Sequence, residues 1–353
     1  ALTFTAALRQ GELAPPGRIG IVSQSGAFGT VLYGVARHEG LRIHSYISAG
    51  NEAQLGVPEF VAGMVGHPEI RTIGGYIEAI RDGAAFGEAA LAARREDKPI
   101  VLVKVGASAA GASAAASHTG ALTGDDQAYD AAFRRYGVAR AVDEQHMLDL
   151  LQAFDVLRQL PRGNRLAIAS MSGGAGVQLC DAAEAHGLRV LPFPDDVVTR
   201  LKKVLPPFAA VANPVDFTGQ FVTNPVGLRT VLEELGSADT TDAVVLFAGL
   251  GWSAGGAWVD PVTEAAGGGT PIFVVSPLAT AEQRGLLAAA GVPVYGTLRQ
   301  VARVIESLVD WTSWRPPGGA EPFDDSLVPT ERPGTEAGTK ALLETVGLRI
   351  PRG

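Results

Sequence analysis

Short apolar runs alternate along the chain with longer segments whose apolar residues recur at helical spacing. The run RIGIVS, Arg18–Ser23, is typical of a buried parallel strand, and the helical pattern after it places Val31, Leu32, Val35 and Ala36 on one face. Strands are also predicted at 42–48, 72–77, 99–105 and 138–141, with helices at about 58–66, 83–95, 125–136 and 143–160. Such alternation predicts a parallel sheet covered by helices on both faces.

The pattern then restarts. Arg18–Ile43 aligns without gaps on Arg165–Val190 at an offset of 147, with 11 of 26 paired residues identical. An internal repeat of this kind predicts two α/β modules in tandem, each a doubly wound parallel sheet, joined near Pro161–Gly163. The second module is predicted to continue with strands at 243–247, 271–275 and 293–295 and to close with a helix at 297–311.

Composition limits the class of protein. The 353 residues are 46% hydrophobic and 19% charged, which is typical of a globular chain too long for one core. A net charge of −8 argues against nucleic acid or an anionic membrane as partner. Cys180 is the only cysteine, no apolar run reaches the roughly 18 residues of a membrane span, and there is no signal-peptide pattern, so a cytoplasmic location is predicted.

Each module carries S-x-S-G where its first strand meets its first helix: Ser23–Gly26 and Ser170–Gly173. Such a turn directs unpaired N–H groups and the positive end of the helix dipole at one point, which favours an anion. Tight packing of strand and helix is the alternative for either turn alone. Two matching turns favour a doubly negative group held between two helix ends. Neither turn has G-x-G-x-x-G, which disfavours a dinucleotide, and no metal site is predicted because the histidines lack ligand spacing.

His118 lies in a stretch, Ser108–Gly124, of which thirteen of seventeen residues are Ala, Gly or Ser. The composition predicts a loop, with two interpretations: a surface loop with an incidental histidine, or an arm that carries a nucleophile. An imidazole close to the anion-binding turns could take up a phosphoryl group, and its second nitrogen would then need an acceptor. Glu78, at the end of the strand 72–77, is the candidate acceptor, and a carboxylate that stabilises a helix N-terminus is the alternative.

Several motifs together resemble the nucleoside-diphosphate-forming acyl-CoA synthetases, relatives of succinyl-CoA synthetase. They are SQSGAFGT, YIEAIRDG, the loop ASHTGALTG, and SGGAG followed by ANPVD at Ala212–Asp216. The resemblance implies two flavodoxin-like domains, with His118 as the phosphorylated histidine and Glu78 as its orienting carboxylate. The implied phosphate-binding residues are Ser25, Gly26, Ala27, Ser172, Gly173 and Gly174. The implied substrate-binding residues are Gly50 and Asn51.

The implied reaction converts acyl-CoA, phosphate and ADP into a carboxylic acid, CoA and ATP, through an acyl phosphate and a phosphohistidine on a swinging loop. Its implied ligands are CoA, ATP or ADP, phosphate and a Mg²⁺ ion in a nucleotide domain. The family also has a CoA-binding domain before this region and an ATP-grasp domain after it. We therefore expect 1–17 to be only the end of the first, 315–353 to be a linker and the start of the second, and flavodoxin-like domains at 18–161 and 162–314 between them. A fragment of this kind is expected to hold the phosphohistidine without completing turnover.

Other functions are compatible with the same sequence. The same fold could serve as a non-catalytic regulatory or docking module, or as a CoA-ester lyase or transferase that uses no nucleotide. The acid, the choice of ADP or GDP and homo-oligomer formation stay open, and Gly249–Pro261, with Trp252 and Trp258, matches no known pattern.

Overall fold

The computed structural model describes residues 17–119, 125–218, 224–249, 256–316 and 340, and of 115–119 the backbone alone. Ala1–Arg315 form one compact unit and Pro316–Gly353 a second. Both sheets lie in the first unit. Among the described residues, no helix combines the length and the apolar character that crossing a bilayer requires.

The first sheet has five parallel strands in the order β2-β1-β3-β4-β5, which is the flavodoxin order. Its strands are β1 (Ile19–Ser23), β2 (Ile43–Ser48), β3 (Thr72–Ile77), β4 (Ile100–Lys104) and β5 (Ala139–Ala141). The helices of this module are α1 (Gly26–His38), α2 (Val57–Val65), α3 (Gly83–Arg95), α4 (Ala109–Thr119), α5 (Asp126–Tyr136) and α6 (Glu144–Val156).

The second sheet repeats this order with its edge strand in two pieces. Its strands are β6 (Arg165–Ser170), β7 (Arg189–Val190), β8 (Val215–Asp216), β9 (Ala243–Phe247), β10 (Ile272–Val275) and β11 (Val294–Tyr295). Both β7 and β8 pair with β6, at its start and its end, while β9 pairs along the other side. The helices are α7 (Gly173–Ala185), α8 (Asp195–Val204), α9 (Pro225–Ser237), α10 (Val259–Ala265), α11 (Ala281–Ala289) and α12 (Leu298–Ser313). The prediction of two tandem flavodoxin-like sheets is confirmed.

The internal repeat extends to the helix bounds and hydrogen bonds at the first strand–helix turn of each module. The offset of 147 that relates the sequences also relates the bounds of α1 and α7. Ser23 and Ser170 are both buried, and their hydroxyls donate to the carbonyls of Ser25 and Ser172 at 2.8 and 2.6 Å. The two S-x-S-G turns therefore share the contact made by their first serine.

A continuous apolar core joins the two sheets. It contains Leu32 of α1, Leu151 of α6, Leu179 of α7 and Ile305 of α12, together with residues of both sheets. Separate clusters cover the outer faces, one beneath α2, α3 and α5 and one beneath α8, α9 and α10. The predicted inner face of α1 is correct at Leu32 and Ala36, but Val31 is 56% exposed.

The prediction of a loop across Ser108–Gly124 is wrong for most of its length. Residues Ala109–Thr119 form α4, and 120–124 lie outside the described residues. The physical reason is that alanine has the highest helix propensity of all residues, so a run of small residues rich in Ala favours a helix. Ser108 accepts a hydrogen bond from Gly111 N at 3.1 Å at the start of this helix.

The unassigned stretch Gly249–Pro261 is partly explained by packing. Trp258 is 1% exposed and belongs to the outer core of the second sheet, directly before α10. Residues 250–255, with Trp252, lie outside the described part of the chain.

Candidate functional site

The N-terminus of α1 is open to ligand. Ser25 caps this helix, and its hydroxyl accepts a hydrogen bond from Phe28 N at 3.3 Å. Gly26 and Ala27 are exposed. Because the first N–H groups of a helix have no carbonyl partner within it, this end can hold an anion, at the carboxyl edge of the sheet where open α/β folds bind ligands.

Gln24, which the sequence analysis did not single out, connects this turn to Glu78. The Gln24 side-chain oxygen accepts hydrogen bonds from the backbone N–H of Glu78 at 2.5 Å and of Ala79 at 3.1 Å. Its side-chain nitrogen donates to the carbonyl of Ala79 and to Glu52 Oε1, both at 2.7 Å. One amide therefore fixes the chain at the end of β3 against the turn at the end of β1. The only sequence signal was its place inside the repeated S-x-S-G motif, where Met171 occupies the second copy.

Gly50 and Asn51 belong to a turn that the same network holds. The turn has positive φ at Gly50 and at Glu52, 58° and 54°. The Glu52 side chain is 3% exposed and accepts from Val57 N at 3.0 Å. Arg81 Nη2 donates to the carbonyl of Asn51 at 3.0 Å. The two predicted substrate-binding residues thus lie beside the segment that follows Glu78.

Glu78 follows β3 directly and is half-buried. Burial, and secondarily the charge of Glu78, raise the pKa of Tyr76, whose ring lies 4.7 Å from that of Phe28 in α1. At the end of β4, Lys104 is 6% exposed, lies over the Tyr129 ring and donates to the carbonyl of Val105 at 2.6 Å. Burial lowers the pKa of Lys104, while Asp126 and Glu78 oppose that shift. A carboxylate and a buried amine therefore share this edge of the sheet.

His118 lies near the end of α4, which begins five residues after β4 and so at the same carboxyl edge. The side chain of His118 is outside the described part of the structure.

The N-terminus of α7 differs in charge from that of α1. Gly173 and Gly174 are exposed, and the Ser172 side chain makes no capping hydrogen bond. A Cβ placed on Gly173 would lie 2.8 Å from Asp216 Oδ2, so a carboxylate lies against this helix end. The predicted phosphate site at Ser172–Gly174 therefore has the Asp216 carboxylate beside it.

The NPVD segment positions that carboxylate. Asn213 occupies the gap between β7 and β8, where its side chain accepts from Ile168 N at 2.9 Å and donates to the carbonyls of Leu166 and Leu191 at 2.8 and 2.9 Å. Asn213 replaces the missing strand contacts of β6 and leads, through a cis bond to Pro214, into β8 and Asp216. Asp216 in turn accepts from Thr218 N at 2.9 Å.

Comparison with known proteins agrees with this architecture. Residues 16–154 match the family described as succinyl-CoA ligase like flavodoxin domain, and residues 166–241 match the ligase-CoA domain. The chain is 38% identical over 204 residues to the alpha subunit of acetate–CoA ligase [ADP-forming] II from Pyrococcus furiosus, covering 58% of this chain and 44% of that protein. It is 31% identical over 314 residues to the alpha subunit of acetate–CoA ligase [ADP-forming] I from the same organism, covering 85% and 65%.

A solved structure gives the same result. The dinucleotide forming acetyl-coenzyme A synthetase 1 of Ca. Korarchaeum cryptofilum, in complex with phosphate and ADP, superimposes with a TM-score of 0.73 at 26% identity, over 95% of this chain and 68% of that chain. The chain contains a succinyl-CoA ligase like flavodoxin domain and a ligase-CoA domain, and it is similar in sequence to the alpha subunits of ADP-forming acetate–CoA ligases. It spans 44% and 65% of the length of the two Pyrococcus relatives.

Proposed function

We propose that the chain is the phosphoryl-transfer core of an ADP-forming acyl-CoA synthetase, with His118 as the residue that is phosphorylated. Phosphate attacks the acyl-CoA thioester, which releases CoA and leaves an acyl phosphate. A nitrogen of His118 attacks the phosphorus, which releases the carboxylate and forms a phosphohistidine. The phosphohistidine then transfers its phosphoryl group to ADP, giving ATP and the free imidazole.

One observation carries the proposal: the open N-terminus of α1 is tied through Gln24 to the backbone of Glu78, at the edge of the sheet where α4 begins. The N–H groups of Gly26 and Ala27 would hold the phosphoryl oxygens, because a helix N-terminus favours negative charge. The Glu78 carboxylate would accept a hydrogen bond from the second nitrogen of His118 and stabilise the cation that forms on phosphorylation. Gly50 and Asn51 would border the acyl group.

The two helix ends have different roles in this account. The α1 end would receive the phosphoryl group, and Ser172, Gly173 and Gly174 at the α7 end would contribute further N–H groups. The charge of Asp216 weakens the second end for a free anion, so it would act only on a phosphoryl group already covalently held.

The segment that carries His118 would move between the acyl phosphate and the nucleotide. Its composition and exposure support such movement: none of the described side chains at 109–114 is buried, so little apolar contact holds the start of α4 in place. In this proposal the segment that carries His118 moves as a short helix rather than as a loop.

The rest of the reaction needs binding sites outside the described residues. We assign CoA to a CoA-binding domain or subunit. We assign the nucleotide and its Mg²⁺ to an ATP-grasp domain or subunit. The complete enzyme would act in the cytoplasm. We keep the boundary between the two flavodoxin-like domains at 161–162.

The test is phosphate labelling of the complete enzyme with ATP and Mg²⁺. Acid-labile, base-stable label is expected in the wild type and is expected to be lost in His118→Ala. His38→Ala, at the exposed end of α1, is the matched control and should retain full labelling. Label that persists in His118→Ala would remove this histidine from the mechanism, and acyl-CoA turnover without nucleotide would favour a lyase or transferase instead.

A further inference from the structure

Two histidines and a glutamate meet at the amino end of the first sheet. His44 lies on β2, while His67 and Glu69 lie in the connection between α2 and β3. His44 Nε2 is 3.2 Å from Glu69 Oε2, and the rings of His44 and His67 are 4.5 Å apart. One potential ligand atom from each of the three residues lies within 4.8 Å of the other two.

We propose that His44, His67 and Glu69 bind one Zn²⁺ ion. Two imidazoles and one carboxylate are a ligand set that zinc uses, with water in the fourth tetrahedral position. Zinc–ligand bonds of about 2.0–2.1 Å place neighbouring ligand atoms about 3.3 Å apart in a tetrahedron. The His44–Glu69 pair already has this spacing. The prediction of no metal site rested on sequence spacing, which did not show that β2 and the α2–β3 connection are neighbours.

The backbone around two of the ligands is held in place without metal. Lys98 Nζ donates to the carbonyls of Val65 and His67 at 2.6 and 2.9 Å, and Ile70 N donates to the carbonyl of His67 at 3.3 Å. On β2, Ile43 and Ser45 pair with Ile19 and Gly20 of β1, and His44 lies at the irregularity between these two pairs. Hydrogen bonds therefore hold the connection, and strand pairing on both sides of His44 holds the strand.

The side chains retain the freedom that metal binding needs. The Glu69 side chain is 69% exposed and that of His44 is 16% exposed. The Glu69 carboxylate can therefore rotate to shorten the distances between ligand atoms that are longer than a tetrahedral zinc site requires. Glu69 N donates to His67 Nδ1 over 3.3 Å. A metal at either nitrogen of His67 would replace this long bond, because a coordinated imidazole keeps its proton on the other nitrogen.

The proposed zinc site is separate from the phosphoryl site and does not depend on it. The S-x-S-G turn lies at the carboxyl ends of the strands, whereas His44 and the residues before β3 lie at the amino ends. Among the described residues β2 pairs only with β1, so a metal there would attach β2 to the α2–β3 connection and stabilise the module.

The test is titration of the metal-free, untagged chain with ZnCl₂, followed by calorimetry and thermal unfolding. One Zn²⁺ per chain is expected, with a rise in Tm of about 5 °C at a hundredfold excess over Kd. Co²⁺ in place of zinc should give the visible absorption of a tetrahedral site. Glu69→Gln changes an exposed side chain and should preserve the fold.

The single variants His44→Gln and His67→Gln should each weaken zinc binding at least about 100-fold. Loss of a residue that only hydrogen-bonds to a metal-ligating side chain already lowers metal affinity roughly 10–100-fold. Glu69→Gln should weaken it at least about tenfold, and His38→Gln should leave it unchanged. Absence of zinc binding in the wild type, or equal affinity in wild type, His67→Gln and Glu69→Gln, would overturn the proposal.

Discussion

The side-chain oxygen of Gln24 lies 2.5 Å from the backbone nitrogen of Glu78. This contact joins the turn that begins α1 to the residue expected to orient His118, and it does so from the variable position of the S-x-S-G motif. The same amide also holds the Glu52 carboxylate. The candidate site is thus one connected network across the ends of β1, β2 and β3.

Gln24→Ala should therefore affect both stability and function. The variant removes a donor from the buried Glu52 carboxylate and an acceptor from two backbone N–H groups, which should cost about 1–3 kcal/mol of unfolding free energy. Phosphate labelling of the complete enzyme should also fall, because Glu78 is no longer held. Urea unfolding and labelling measure the two effects. Gln178→Ala, on the exposed face of α7, is the matched control and should change neither. A Gln24→Ala variant with unchanged labelling would show that the network does not serve His118.

His146 and Asp149 on α6 should give opposing pH dependences of stability. Burial lowers the pKa of His146 to about 4 from 6.5, so between these values the unfolded chain holds the extra proton and stability rises with pH. Burial raises the pKa of Asp149 to about 6 from 3.8, so over that range the folded chain holds the extra proton and stability falls with pH.

The variants should separate these two slopes. In Asp149→Asn the free energy of unfolding should still rise with pH, because His146 remains. In His146→Gln it should still fall with pH, because Asp149 remains. Each slope should be at most about 1.4 kcal/mol per pH unit. Urea unfolding at pH 4.5, 5.2 and 6.0 measures both slopes. Slopes of the same sign in the two variants would contradict the assignment.

Gly74 in β3 should not tolerate a side chain. A Cβ at this position would lie 2.7 Å from Leu151 Cδ1 of α6, so Gly74→Ala should cost roughly 1–3 kcal/mol by overpacking. Gly63→Ala in α2 meets no atom within 4 Å and should stabilise by about 0.5–1 kcal/mol, since alanine favours a helix over glycine. Chemical denaturation of the two variants compares them directly; equal effects would exclude close packing of α6 on β3.

Asp216→Asn should strengthen anion binding at the α7 end alone. The substitution removes the negative charge beside Gly173 and keeps the acceptor for Thr218 N. Inorganic phosphate should then shift the amide signals of Gly173 and Gly174 with about five- to tenfold higher affinity, while the amide of Gly26 should respond as in the wild type. Unchanged signals at Gly173 and Gly174 in both proteins would argue against a phosphate role for this end.

The sequence predicted those parts of the fold that repeat or alternate. The 26-residue alignment located α1 and α7, because matching residues meet matching constraints at each strand–helix turn. It did not predict the division of the second edge strand into β7 and β8, since Asn213 makes that gap stable through contacts distant in sequence.

Predictions that depended on local composition alone were less successful. The small residues at 109–119 were assigned to a loop because they carry no apolar period, yet their alanines favour the helix. Gln24 and Glu52 were missed because their roles depend on partners 28 or 54 positions away in the chain.

The central claim is that a phosphoryl group on His118 is bound by the N-terminus of α1. The most direct measurement is a crystal structure of the phosphorylated complete enzyme. We expect phosphoryl oxygens within hydrogen-bonding distance of the N–H groups of Gly26 and Ala27, with the other ring nitrogen of His118 donating to Glu78. A phosphohistidine at His118 whose phosphoryl group lies away from the N-terminus of α1, or phosphate on a different residue, would contradict the account.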